Sequence, residues 1–203
     1  MAGIDPGAWI GLTERRADAM DPWAAGALIA TLGLDRPAPR AGDPLPPFWH
    51  WLHFREAAPA GALGPDGHPA PGGFTPKVAQ PRRMWAGGRL AFHAPLPLGR
   101  DAERVSTIAE VAEKRGRSGA LTFVTVRHEI AGGAGRAVTE EQDIVYREDP
   151  GPEAARHAPR EAPADETASR AWACDPVALF RYSALTFNGH RIHYDADYAR
   201  EVE

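Results

Sequence analysis

The sequence predicts a loop-rich α+β fold. Glycine and proline number 21 and 20 in 203 residues, yet 43% of the chain is hydrophobic, so many turns must surround a genuine core. Two β-branched stretches, Leu121 to Ile130 and Arg136 to Tyr146, read as the arms of a long hairpin. The α part comes from the start of the chain. Between Thr13 and Leu34 the apolar residues Ala17, Met20, Ala24, Ala27, Leu28 and Leu32 recur at three- and four-residue steps.

One or two helices are therefore expected at the start, with Asp21-Pro22 as a cap followed by proline in the first turn. Gly33 and the segment from Pro37 to Pro47 end that pattern. Phe48-Trp49-His50-Trp51-Leu52-His53-Phe54 is an aromatic element whose type the spacing leaves open, and Ala57 to Pro81 reads as a long loop. Gly88 to Leu96 reads as a strand turning through Pro97-Leu98-Gly99. From Arg104 to Lys114, Val105, Ile108 and Val111 match helical spacing better than alternation, which predicts a helix. Gly132-Gly133-Ala134-Gly135 joins two strands and precedes no helix, so it reads as a hairpin turn and not as a phosphate loop.

Asp149 to Glu166 carries four prolines, mixed charges and no large apolar residue, the composition of a solvated linker. The expected organisation is an N-terminal unit over residues 1–148, a linker over 149–167 and a second unit from 168 to 203. In that second unit, Asp195 followed by Tyr198 and Ala199 reads as a helix N-cap.

Net charge is −4, and charged residues make up 25% of the chain with both signs interspersed. That excludes the basic footprint of a nucleic-acid binder and the polybasic patch of a membrane-surface protein. The single cysteine, Cys174, forms no internal disulfide and rules out a CxxC redox or zinc site, which suits a cytoplasmic address. Cys174 itself reads as a small apolar residue and not as a nucleophile. The start, Met1 to Trp9, lacks the features of a secretory signal, and no stretch reaches the roughly 18 apolar residues of a membrane span.

Polar groups are dense from Thr186 to Asp195, with Phe187, Ile192 and Tyr194 as apolar anchors. His193 offers an imidazole able to exchange a proton near neutral pH, and Asn188 an amide able to orient water or a carbonyl. Asn188 also suits a left-handed turn beside Gly189, and the two roles coexist. His190 reads as structural. His50 and His53 stand three apart, but no third ligand follows and Trp49, Trp51 and Phe54 argue for packing, so no metal site is expected.

The string Phe180-Arg181-Tyr182-Ser183-Ala184-Leu185-Thr186-Phe187-Asn188-Gly189-His190-Arg191-Ile192-His193-Tyr194-Asp195 resembles the signature of the group formed by mesaconyl-CoA hydratases and fungal-type 3-hydroxyacyl-thioester dehydratases, relatives of the MaoC hydratases. Pro81 to Arg89, Gly116 to Gly119 and Thr139 to Arg147 resemble its N-terminal half, so the likeness runs over almost the whole chain.

The resemblance implies an α+β double hotdog, two curved antiparallel sheets each wrapped around a helix, with Arg104 to Lys114 a strand. In the MaoC pattern an aspartate and, five residues later, a histidine bind and activate water. The histidine maps to His193, while the aspartate position holds Asn188. An amide accepts no proton at physiological pH, so His193 would carry the proton alone. The resemblance further implies that the second hotdog is incomplete at Glu203, so that a homo-oligomer or a partner chain would complete it. Arg82, Arg83 and Arg117 suit the phosphates of coenzyme A or of a phosphopantetheine carrier, or else are solvated surface arginines. No cofactor is expected.

The implied reaction is hydration or dehydration of a short acyl-CoA such as mesaconyl-CoA. Rival readings are a non-catalytic thioester-binding or assembly subunit, and an acyl-CoA thioesterase.

Overall fold

The computed structural model describes residues 5–70, 72–116, 119–149 and 161–202. Its centre is one antiparallel sheet of five strands, β1 (Thr13–Asp18), β2 (Arg82–Phe92), β3 (Ala102–Gly116), β4 (Gly119–Gly132) and β5 (Gly135–Arg147), in the order β1-β3-β4-β5-β2. Helix α1 (Pro22–Thr31) packs at one end of the sheet, and α2 (Pro176–Thr186) and α3 (Ala196–Val202) follow late in the chain. Among the described residues beyond 161 there are two α-helices and no strand.

The hairpin is where the sequence puts it: β4 and β5 pair from Leu121↔Arg147 to Gly132↔Gly135. Alternation sends Val124, Val126 and Ile130 of β4 and Val138, Ile144 and Tyr146 of β5 inward, each no more than 5% exposed. At about 1.5–3 kcal/mol for each large apolar side chain buried, this double row is the main source of cohesion. Asp21 caps α1 as expected, accepting from Trp23 N at 2.9 Å with Pro22 in the first turn.

Three expectations need correction. Thr13 to Asp18 is strand and not helix; the helical spacing straddled a break at Met20, which sits fully buried at φ 53° and separates β1 from α1. The strand predicted from Gly88 begins earlier, at Arg82, and ends at Phe92. Arg104 to Lys114 belongs to β3, as the family likeness implies and against its periodicity. A bulge between Ile108 and Glu110 explains the misreading. One extra residue turns Ile108 and Val111 to the same face although they stand three apart, so a bulged strand imitates a helical step.

The aromatic element resolves into a short 3₁₀ turn, Trp49–Leu52, which packs Leu52 against Ala24, Leu28 and Leu185. This cluster ties α2 to α1. Residues 150–160, most of the expected linker, lie outside the described residues, and residues 161–175 form neither helix nor strand. Among the described residues no helix is long and apolar enough to cross a membrane.

Candidate active site

Helix α2 is capped by Asp175, whose Oδ1 accepts from Ala178 N at 2.7 Å, with Pro176 in the first turn. It ends on Phe187 in the left-handed region at φ 52°, a conformation costing a non-glycine residue about 1–2 kcal/mol. Two bonds offset that strain: Phe187 N donates to Ala184 O at 3.2 Å and Asn188 N to Ser183 O at 2.8 Å. The left-handed residue is thus Phe187, and the turn role open to Asn188 takes another form. Its Oδ1 accepts from His190 N at 3.0 Å and closes a turn of its own.

That bond settles which way the amide faces. With Oδ1 on His190 N–H, Nδ2 points at His193 Nε2, 3.1 Å away. An amide NH₂ only donates, so in this contact Nε2 is the acceptor. The two residues singled out from sequence are therefore brought together, both half-buried. A second N–H and a second lone pair of the amide remain for a water.

The loop is fixed from below by the turn at residues 64–68. Arg191 N donates to Asp66 O at 2.9 Å and Arg191 Nη1 to Pro65 O at 3.2 Å, while Nη2 pairs with Asp195 at 2.7 Å. Asp195 is the predicted N-cap of α3, accepting from Tyr198 N at 2.9 Å. This bond, together with Arg191, holds its carboxyl below the usual range. Gly67, at φ +88°, lies so close to Gly189 that a Cβ on it would stand 2.1 Å from Gly189 O. Only glycine permits that approach.

Next to this contact His68 and His190 stack with ring centroids 4.2 Å apart, and His190 meets His193 edge-on at 5.9 Å. Asp66 accepts from His68 N at 3.1 Å and lies 3.1 Å from its Nδ1. Burial raises the Asp66 carboxyl, but the His68 bonds outweigh it and leave it lowered. Asp66, His68 and His190 place ligand atoms within 4.8 Å of one another and are the group among the described residues that could hold a metal ion. The sequence reading missed this set because His190 lies far along the chain from Asp66 and His68.

The other candidates are placed elsewhere. Arg82 on β2 pairs with Asp149 at 2.8 Å and Arg83 is exposed; among the described residues no hydrogen bond or ion pair joins either to Asn188 or His193. Arg117 lies outside the described residues. Cys174 is exposed, so it fills no apolar site. His50 and His53 are buried and separately engaged, His50 Nε2 3.1 Å from Glu140 and His53 Nδ1 3.2 Å from Asp18.

Glu140 also accepts from Trp51 Nε1 at 3.0 Å and Gln142 Nε2 at 2.9 Å. Burial raises its carboxyl, yet these partners outweigh that and keep it lowered, hence ionised. Asp18 is likewise lowered, to about 2: burial opposes, but His53 and the amides of Phe54 and Met20 prevail. His128, 2.8 Å from Ser106 Oγ, is pushed down to about 4 by burial and by Arg104. These groups form a polar seam on the inward face of the sheet. Strand alternation carried the signal, since Glu140 shares its face with Val138, Ile144 and Tyr146, and His128 with Val126 and Ile130.

Comparison with known proteins fits this picture. The chain is 47% identical over all 203 residues to the mesaconyl-C(4)-CoA hydratase of Chloroflexus aurantiacus, covering 72% of that protein. It is 30% identical to the mitochondrial hydroxyacyl-thioester dehydratase type 2 of Schizosaccharomyces pombe, over 78% of this chain and 60% of that one. Among solved structures, HtdX of Mycobacterium tuberculosis superposes over 93% of this chain and 68% of its own with TM-score 0.55 at 14% identity. A MaoC-like dehydratase of Phytophthora capsici covers 96% of this chain and 67% of its own with TM-score 0.54 at 14% identity. At such identities these two show the fold, the α+β hotdog architecture. The family model for hydroxyacyl-thioester dehydratase type 2 matches residues 48–203, which include the paired strands β2–β5 and the Asn188–His193 turn, and the chain belongs to that family.

Proposed function

We propose that this chain adds water to, or removes it from, the α,β double bond of a short acyl-CoA thioester, with His193 as the acid–base group and Asn188 as the residue that holds the water. The observation that carries the reading is the 3.1 Å contact from Asn188 Nδ2 to His193 Nε2 within a family-type motif. In the hydration direction the water takes the place of the Asn188 N–H at His193 Nε2, and that lone pair takes its proton as the water oxygen bonds to the β-carbon. The double-bond electrons move toward the thioester carbonyl, and a proton is delivered to the α-carbon. Dehydration runs the same path backwards. Asn188 keeps the imidazole directed, and being an amide it leaves the proton to His193 alone. A mesaconyl-type substrate is favoured by the 47% identity to a mesaconyl-C(4)-CoA hydratase. Residues 1–148 would form the unit that holds the acyl group, with the residues after the linker supplying the reacting turn.

The purified chain incubated with mesaconyl-C(4)-CoA or crotonyl-CoA should consume the conjugated thioester, followed by its ultraviolet absorbance, and yield a hydroxyacyl-CoA. Release of free thiol without a hydrated product would instead make it a thioesterase.

A second reading draws on α2 and the turn after it. Val177, Phe180, Phe187 and Tyr194 are 59%, 72%, 61% and 69% exposed, more apolar surface than a short segment usually leaves in water. Under this reading further polypeptide, on this chain, a second copy or a partner, covers that surface before the chain is active. Activity appearing only when that polypeptide is supplied would favour it.

The glycine contact gives a sharper test of the site. Gly67→Ala should displace the turn under Gly189 and lower turnover about 100-fold, since a shift near 1 Å at a site costs about that much. Gly61→Ala, where a Cβ meets nothing within 4 Å, should retain near-normal rates.

A further inference from the structure

Two turns from distant parts of the chain meet through main chain at Gly67 and Gly189, and three side chains with metal-binding atoms stand at that contact. Gly64 N donates to His68 O at 2.7 Å and closes the first turn. Within it, Asp66 Oδ1 accepts from His68 N at 3.1 Å, which leaves Oδ2 beside the ring, 3.1 Å from Nδ1. From the second turn comes His190, stacked on His68 with centroids 4.2 Å apart and planes inclined by only 31°. One ligand atom from each of the three lies within 4.8 Å of the other two.

Ligand atoms bonded to one ion at about 2.0–2.2 Å stand roughly 3.0–3.5 Å apart. Asp66 Oδ2 and His68 Nδ1 already have that spacing, and His190 has less than about 2 Å to close, within reach of a ring rotation. The Asp66 carboxyl is held below its usual range, so it stands ionised at neutral pH. An opposing charge comes from Arg191, which donates to Pro65 O at 3.2 Å, but Asp195 takes that charge up at 2.7 Å. The side chains of His68 and Asp66 are 28% and 33% exposed, so an ion can enter from solvent and keep water in its remaining positions. His193 stays outside the set, its Nε2 already accepting from Asn188.

We infer that Asp66, His68 and His190 bind one divalent late first-row transition ion of the Zn²⁺ class, which clasps the turn at residues 64–68 to the turn after α2. The inference stands apart from the hydration reading, since the ion takes no part in moving the water proton. Two imidazoles and one carboxylate suit Zn²⁺, Co²⁺ or Ni²⁺, whereas Mg²⁺ and Ca²⁺ prefer oxygen ligands. The backbone contact holds the ligands near one another before the ion arrives, so little ordering remains to oppose binding. A clasp between such distant positions closes a long loop of chain and therefore stabilises the fold. A ring nitrogen that enters coordination gives its proton to solvent, so binding weakens as pH falls.

Isothermal titration of the untagged, chelator-treated chain with Zn²⁺ tests this, with Co²⁺ as a second probe whose visible ligand-field bands report nitrogen ligation. Zn²⁺ should bind at one ion per chain and raise the melting temperature, and Mg²⁺ should not compete. His68→Ala and His190→Ala should each weaken binding at least about tenfold, as even the loss of a group supporting a ligand costs about 10- to 100-fold. Asp66→Asn should weaken it by a similar factor, while His93→Ala, which alters a histidine on β5's side of the sheet bonded to Thr139, should leave it unchanged. Thermal melts of the metal-free variants monitor folding. Should the two histidine variants fail to fold, diethyl pyrocarbonate labelling of the wild type with and without Zn²⁺ takes their place, and the ion should protect His68 and His190. Absence of Zn²⁺ binding below about 100 μM overturns the site. Affinity kept by folded His68→Ala and His190→Ala, or labelling of both rings undiminished by Zn²⁺, overturns the assignment to these residues.

Discussion

His193→Ala should cut the rate of enoyl-thioester hydration by about 10²- to 10⁴-fold, the usual worth of a positioned acid–base group. The loss should fall on kcat more than on KM, because the imidazole takes its proton in the transition state and adds little to ground-state binding. Folding should survive. His193 is half-buried in a short 3₁₀ turn and belongs to none of the three apolar clusters that hold the molecule together. No side chain at Asn188 can stand in, since an amide does not take up a proton. Following absorbance loss on mesaconyl-C(4)-CoA for both chains decides the matter. A rate within threefold of wild type, with an unchanged melting profile, would move the proton transfer to another residue.

Glu140→Ala should remove about 3–5 kcal/mol of stability, read as a lower urea midpoint at constant slope. The carboxylate is 3% exposed and serves three groups at once: His50 Nε2, Trp51 Nε1 and Gln142 Nε2. Deleting it strands all three inside a face otherwise built from Ile130, Val138 and Ile144, where water does not readily replace it. The double change Glu140→Leu with His50→Leu removes donor and acceptor together and should cost less than Glu140→Ala alone. A loss under 1 kcal/mol for the single change would mean that water reaches the seam.

The hairpin, the cap of α1 and the cap of α3 were legible in the sequence, while Asn188 and His193 were candidates there and were joined as a pair only by the family likeness. Each depends on residues close in the chain or on strict alternation: Asp21 caps two residues away, Asp195 three, and Asn188 reaches five residues ahead to His193. The errors have one physical character. At Met20 a left-handed residue separates strand from helix, and between Ile108 and Glu110 an extra residue shifts the pleat, so in both places the apolar period survives while the backbone beneath it changes. The family likeness corrected β3 because it carries information about the whole sheet, which a short window lacks. The polar seam was visible in principle as Glu140 and His128 on inward positions. Its meaning was not, because His50, His53 and Asp18 reach it from elements of their own, 35 to 90 positions away from their partners.

The contact of Gly67 with Gly189 also has a bearing on how such a protein can change over generations. Where main chain rests on main chain, drift in the surrounding side chains is absorbed cheaply, whereas any added carbon at position 67 is felt by the reacting turn at once. The pair is therefore aimed in part by a main-chain contact, beside the bonds of the Arg191 and Asn188 side chains, and that part of the scaffold leaves position 67 no freedom to vary.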